Sequence, residues 1–113
     1  MYLFTGILYR VFMYYKYHVF FCTNQRQDGR ACCQDHDAAA MRNYAKDRVK
    51  QLGLAVPGGV RVNTAGCMGR CSEGPTMAVY PQGIWYRYDS QADIDEIIDT
   101  HLVNDRPVER LQI

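Results

Sequence analysis

Four cysteines have the residue type and spacing of a metal centre. They follow the pattern Cys22-x10-Cys33-x33-Cys67-x3-Cys71. Thiolates bind both iron–sulfur clusters and zinc. Structural zinc sites usually combine two short C-x2–4-C knuckles, and here only Cys67 and Cys71 form one. The spacing therefore favours a [2Fe–2S] cluster and leaves a structural zinc site as the alternative.

A fifth cysteine, Cys32, directly precedes Cys33. This pair cannot form the C-x-x-C motif that a thioredoxin-type dithiol requires at the head of a helix. Residues 1–9 are apolar, but they lack the basic region and cleavage site of a secretory signal, and Arg10 ends a stretch too short to span a bilayer. Without a secretory signal, we expect a cytoplasmic protein. In such a reducing compartment, clustered cysteines more often bind metal than form disulfides.

Composition indicates one globular domain. The chain has 113 residues, of which 48% are hydrophobic and 22% charged. Residues 1–70 carry ten Lys/Arg and four Asp/Glu, whereas residues 71–113 carry three and eight. No basic stripe of a nucleic-acid-binding protein is present. The excess acid could steer a protein partner or form a solvated helix face, and it lies mainly on Asp93, Asp95, Glu96 and Asp99.

The first half of the chain predicts a strand followed by a helix. Residues 17–21 are rich in aromatic and β-branched side chains, which favours a strand that ends at Cys22. Asp35 or Asp37 can cap the helix that follows. Gly53 should end this helix in a left-handed conformation, with Leu54 against Val49. The apolar face of the helix is expected to consist of Met41, Tyr44, Ala45, Val49 and Leu52.

The second half predicts three strands and a helix. The strands are expected at residues 60–64, 76–80 and 84–88, with a hairpin between the last two. Ser90 and Asp93 resemble a capping box at the start of the last helix. Its inner stripe should contain Ile94, Ile97, Ile98, His101 and Leu102. The element order β-α-β-β-β-α predicts an α/β (α+β) thioredoxin-like fold, a mixed four-stranded sheet with flanking helices.

This topology explains how distant cysteines could meet. In a β-α-β unit, the two parallel strands end at the same edge of the sheet. Ligands of α/β folds bind at this edge. Cys22 and Cys67 follow the two strands, and Cys33 precedes the helix. The helix start suits an anionic cluster, and glycines at 66 and 69 allow the backbone to approach sulfur. Arg70 could add positive charge or be a solvated loop residue.

Several motifs resemble one known family. They are residues 18–26 (HVFFCTNQR), 66–71 (GCMGRC), 74–75 (GP) and 79–86 (VYPQGIWY), together with 101–102 and 107–111. In this order they resemble the thioredoxin-like [2Fe–2S] ferredoxins, the bacterial Shethna-type proteins. The chain is more distantly similar to the small cluster-binding subunit of NADH dehydrogenases and hydrogenases. The resemblance covers about residues 13–113.

The resemblance implies a soluble electron carrier rather than an enzyme. It implies a homodimer, redox protein partners, and one [2Fe–2S] cluster per subunit on Cys22, Cys33, Cys67 and Cys71. The family usually has one cysteine at the second position, and helix register favours Cys33 over Cys32. A permanent subunit of a larger oxidoreductase is a further alternative. The family lacks residues 1–12, which we predict to be a disordered extension preceding the ferredoxin domain at 13–113.

Overall fold

The computed structural model describes residues 14–24, 37–70 and 73–113. The strands are β1 (Tyr17–Cys22), β2 (Val60–Ala65), β3 (Thr76–Tyr80) and β4 (Ile84–Arg87). The helices are α1 (Ala38–Gln51) and α2 (Gln91–Ile97). α2 continues as a π-helical segment at Ile98–Val103, and a separate 3₁₀ turn forms at Glu109–Leu111. In the described part of the chain, no helix is long and apolar enough to cross a membrane. The predicted extension at 1–12 lies outside the described residues.

The four strands form one mixed sheet in the order β2-β1-β3-β4. β1 and β2 are parallel, and β3 runs antiparallel to both β1 and β4. The register of the parallel pair runs from Tyr17 opposite Val60 to Cys22 opposite Ala65. The mixed sheet and the predicted element order are confirmed.

Both described helices pack on the same face of the sheet. Alternate side chains of β1 enter one core with the apolar stripes of α1 and α2, as the strand and helix periods require. The predicted inner stripe of the last helix is confirmed, because all five of its members are buried. Leu52 was expected on the apolar face of α1, but it is 42% exposed, because it is the C-cap residue after the last helical turn.

The two ends of α1 differ in how well local sequence predicts them. Gly53 has φ of 73°, and its N–H donates to Lys50 O while the Leu54 N–H donates to Val49 O, each at 3.0 Å. This is the hydrogen-bond pattern of a Schellman ending, as predicted. At the other end, Asp37 has φ of 60°, and its side chain accepts no capping hydrogen bond. The predicted cap at Asp37 is therefore wrong, and Asp35 lies outside the described residues.

The start of α2 has the predicted capping contacts and one further contact. Ser90 Oγ accepts the Asp93 N–H at 3.3 Å, as a capping box requires. The Asp93 carboxylate accepts the N–H of Asp89 at 2.8 Å in addition to its interaction with the Ser90 backbone. Its second oxygen binds Arg110 at 2.8 Å. Asp93 thus joins the start of α2 to the C-terminal tail.

A buried polar trio also holds the tail. Tyr86 Oη lies 2.7 Å from His101 Nδ1 and accepts the Val108 N–H at 3.0 Å. All three residues are buried. Burial raises the pKa of Tyr86 and lowers the pKa of His101, so both side chains are neutral at pH 7. One hydroxyl thereby satisfies a buried backbone donor and a buried imidazole nitrogen.

Removing that hydroxyl should destabilise the protein. Tyr86→Phe keeps the ring in the core but leaves two buried groups without a partner, which costs about 1–3 kcal/mol. Urea denaturation should show a lower midpoint with an unchanged slope. Tyr14→Phe removes the same hydroxyl from a side chain that is 66% exposed, and should leave the midpoint unchanged. Equal midpoints for Tyr86→Phe and the wild type would contradict this account of the trio.

Candidate metal centre

The two described cysteines of the predicted site lie at one edge of the sheet. Cys22 is the last residue of β1 and stands opposite Ala65, the last residue of β2. The Thr23 N–H donates to Ala65 O at 3.0 Å, so the strands remain paired up to their ends. Cys67 follows Ala65 by two residues. Parallel pairing therefore brings these two cysteines to the same edge, as the topology predicts.

The two cysteines lie in different environments. Cys22 is fully buried and packs with Ala38, the first residue of α1, which is also fully buried. Met68 packs against this pair, whereas Cys67 is exposed. The contact with Ala38 places the beginning of α1 beside Cys22. The edge therefore has a dry side at Cys22 and a solvent side at Cys67.

The loop after β2 presents a backbone donor to sulfur. The Gly69 N–H donates to Cys67 Sγ at 3.4 Å, and Gly69 has φ of 89°. This left-handed conformation disfavours side chains, which explains glycine at this position. A Cβ added at Gly66 would meet nothing within 4 Å, so the described residues give no steric reason for glycine there.

The Arg70 side chain is held by contacts with three other residues, and one of them is a carboxylate. Its guanidinium binds the Glu73 carboxylate through two nitrogens, and this pairing holds the pKa of Glu73 below its ordinary value. The guanidinium lies 5.3 Å from the centre of the Trp85 ring. Nη1 also donates to Ile113 O at 3.4 Å. Arg70 thus connects the cysteine loop to β4 and the tail, and its charge is offset by Glu73.

Three of the four acids expected on the last helix form ion pairs with arginines of the same chain. Asp95 accepts the Tyr44 hydroxyl at 2.8 Å and pairs with Arg48. Asp93 and Glu96 both bind Arg110. Asp93 is nearly buried, whereas Asp95 and Glu96 keep 37% and 40% of their side chains exposed. They attach α2 to α1 and to the tail.

The other cysteines and the histidines are the remaining residues that could bind a metal, and only some of them lie in the described ranges. Cys33, Cys71 and the neighbouring Cys32 lie outside the described residues, as does His36. Within the described ranges, no three metal-binding side chains form a group. His18 and His101 have packing roles, because His18 stacks on Phe20 with ring centres 4.3 Å apart and His101 joins the buried trio.

The described part of the site fits an iron–sulfur cluster chemically. Thiolate sulfur is the ligand that such clusters use, and backbone donors to sulfur accompany them. Cys22 supplies a buried sulfur and Cys67 a sulfur that already accepts an N–H. Sequence reasoning missed the packing of Ala38 and Met68 around Cys22, for which no local pattern exists.

Comparisons with known proteins agree on one kind of relative. No family model matches the chain. A curated 2Fe-2S ferredoxin from Clostridium pasteurianum is 35% identical over 100 residues, which cover 87% of this chain and 96% of the relative. A curated 2Fe-2S ferredoxin from Aquifex aeolicus is 33% identical over 101 residues, which cover 85% of this chain and 87% of the relative.

Solved structures agree in fold. The crystal structure of the thioredoxin-like [2Fe-2S] ferredoxin from Aquifex aeolicus matches with a TM-score of 0.75 and 32% identity, covering 86% of this chain and 95% of that one. Two variants of that protein, each with one cysteine changed to serine, match with TM-scores of 0.75. Their two altered cysteines are separated by three residues, the spacing of Cys67 and Cys71.

The donor at Gly69 yields a prediction for a cluster held here. Gly69→Ala strains a left-handed backbone position by about 1–2 kcal/mol and should displace the N–H from Cys67 Sγ. A reduced cluster carries more negative charge than an oxidised one, so losing a donor should lower the reduction potential in a redox titration. Gly53→Ala imposes similar strain at φ of 73° on the far end of α1. Gly53→Ala should lower stability without changing the reduction potential. Equal potentials for the wild type, Gly69→Ala and Gly53→Ala would contradict the prediction.

Proposed function

This chain belongs to the thioredoxin-like [2Fe–2S] ferredoxin family, and we propose that Cys22, Cys33, Cys67 and Cys71 bind its cluster. The protein is a small electron carrier with a [2Fe–2S] cluster, not an enzyme. When bound, such a cluster supplies a one-electron couple in which one of two ferric irons becomes ferrous. The chain supplies the ligands, the hydrogen bonds to sulfur and the surface on which partners dock.

The single observation that carries the ligand proposal is that β1 and β2 end side by side at Cys22 and Ala65. Cys22 lies level with Ala65, so Cys67 starts its loop within reach of the same edge. Ala38 packs on Cys22, and Cys33 precedes Ala38 by five residues, which span at most about 18 Å. Cys71 directly follows Arg70, whose side chain is anchored on Glu73 and Trp85. These positions support a common site for all four sulfurs.

The asymmetry of the described sulfurs supports a direction for electron exchange. Cys22 is buried beside α1, where water is excluded, whereas Cys67 lies at the surface. Electron transfer between proteins requires close approach of the cofactor to the partner. We therefore place the docking site for redox partners, both donor and acceptor, on the Cys67 side of the edge.

The alternatives from the sequence receive no support from a described contact. A zinc module would need the same sulfurs without an electron-transfer role, while the relatives are named 2Fe-2S ferredoxins. A permanent subunit of a larger oxidoreductase is disfavoured because the match spans 96% and 87% of those ferredoxins. We also propose that residues 1–12 precede the ferredoxin domain, and that the protein is cytoplasmic because its thiolates must stay reduced.

Cysteine variants test the ligand set. Protein purified without oxygen should be brown, with visible absorption that bleaches when dithionite reduces it. Cys22→Ser, Cys33→Ser, Cys67→Ser and Cys71→Ser should each lose or alter that spectrum. Cys32→Ser is the matched control, because it changes the neighbouring thiol and should leave the spectrum unaltered.

Two results would overturn the assignment in different ways. A colourless wild-type protein with stoichiometric zinc would end the electron-carrier function. A brown Cys33→Ser variant with the wild-type spectrum, together with loss of colour in Cys32→Ser, would transfer the second ligand to Cys32. Iron and zinc analysis of each purified protein distinguishes the two results.

The sheet face opposite the helices supports the proposal of a homodimer. We define the aromatic face as His18, Phe20 and Tyr80. The His18 and Phe20 rings stack, and Tyr80 meets Phe20 edge-on with ring centres 6.0 Å apart. Both described helices pack on the other side of the sheet, and Tyr80 is 40% exposed. A second copy of the chain would cover these rings, since apolar sheet faces are stabilised by burial.

Substitution on the aromatic face tests the dimer. Phe20→Ser should weaken self-association by about tenfold or more, the effect of losing one buried aromatic side chain at an interface. Sedimentation equilibrium over a series of concentrations measures the dissociation constant. Val103→Ser, at a site that is 44% exposed on the helix side, is the control and should not change it. A wild-type monomer at all concentrations, or equal constants for Phe20→Ser and wild type, would contradict the proposal.

A further inference from the structure

Arg42 carries a buried donor that the core does not explain. The side chain is half-buried on α1, and its Nε is shielded from solvent with no hydrogen-bond acceptor among the residues that the structure describes. A buried donor on a charged group is costly when it lacks an acceptor. An anion placed near Nε would relieve this cost.

The other half-buried arginines of the described chain have carboxylate partners. Arg48 pairs with Asp95, and Arg70 pairs with Glu73. The exposed Arg87 and Arg110 also pair with carboxylates. Arg42 differs because its Nε is shielded from solvent and pairs with no acid among the described residues. Arg42 is therefore the half-buried arginine whose Nε has no acceptor in the described part of the chain.

The helix geometry places Arg42 near the cysteine edge. Arg42 lies one turn after Ala38, which packs on Cys22 and Met68, so both residues lie on one flank of α1. Tyr44 and Arg48 contact Asp95 on α2. Arg42 is two residues before Tyr44, about 200° around the helix, and so lies on the flank away from α2.

The direction of the helix brings the side chain closer to the site. On an α-helix, Cα–Cβ bonds tilt toward the N-terminus. The N-terminus of α1 lies at Ala38, beside Cys22. The helix also packs more extensively on β2 than on β1, and β2 leads into the loop of Cys67. The tilt therefore favours a direction of the Arg42 side chain toward the end of α1 that lies beside Cys22.

We propose that Arg42 sets the reduction potential by placing a partly buried positive charge beside the cysteine edge. The inference rests on the proposed function, because its anion is the thiolate-bound cluster. Four thiolates give the oxidised cluster a net negative charge, and reduction adds one electron. A nearby guanidinium therefore stabilises the reduced form more than the oxidised form and raises the potential.

The test is a redox titration of the holoprotein with dithionite as the one-electron donor. At the wild-type midpoint, Arg42→Gln should lower the ratio of reduced to oxidised cluster by about tenfold, the factor for a unit charge at roughly 10 Å with an effective dielectric constant of ~20. Arg42→Lys keeps the charge and should stay close to the wild type. Lys46→Gln removes one charge from the next turn, where the side chain is exposed, and should change the ratio by less than about twofold.

The outcomes separate this inference from the function on which it rests. A brown Arg42→Gln protein with the wild-type midpoint overturns the role of Arg42 and leaves the electron carrier intact. A colourless wild type overturns the function itself. If Arg42→Gln does not fold, Arg42→Met, which keeps an apolar stem in the same position, undergoes the same titration. A difference that disappears at high ionic strength would also overturn the proposal, because a partly buried charge is screened less than an exposed one.

Discussion

The parallel pairing of β1 with β2 is the constraint on which the site depends. Its register puts Cys22 level with Ala65, so that two segments far apart in sequence end at the same height. A shift by one residue would turn every side chain of β1 to the opposite face. Val19 and Phe21 would leave the core, and Cys22 would lose its contact with α1. The hydrophobic core therefore fixes the position of the cysteine as firmly as it fixes the fold.

The crossover helix connects that pairing to the chemistry of the edge. A right-handed β-α-β unit returns the chain so that α1 begins where β1 ends. Ala38 lies at this beginning, and its small side chain lets the helix backbone approach Cys22 closely. The same helix buries Ala45 and Val49 in the core. One element thus stabilises the sheet and excludes water from the buried sulfur.

Sequence reasoning succeeded where the cause was local or a topological rule, and it failed where the cause was an individual tertiary contact. The ending of α1 at Gly53 depends on neighbours within five residues, and the apolar stripe of α2 depends on helical period, so both were predictable. The failed cap at Asp37 and the pairing of Asp95 with Arg48 depend on tertiary packing. The thioredoxin-like order and the position of Cys22 and Cys67 at one edge of the sheet were predictable because topology restricts parallel strands. The packing of Met68 at the site has no such rule behind it.

The number of charged residues in the sequence is a poor guide to the electrostatic field at the cysteine edge. In the acid-rich second part of the chain, the carboxylates at 93, 95 and 96 are paired with Arg48 and Arg110. At the cysteine edge, Arg70 is offset by Glu73 and Arg87 by Asp89. Exposed ion pairs contribute weak and salt-sensitive fields. A charged side chain whose Nε is shielded from solvent, as in Arg42, acts in a medium of lower dielectric constant and therefore affects a cofactor inside the fold more than a partner outside it.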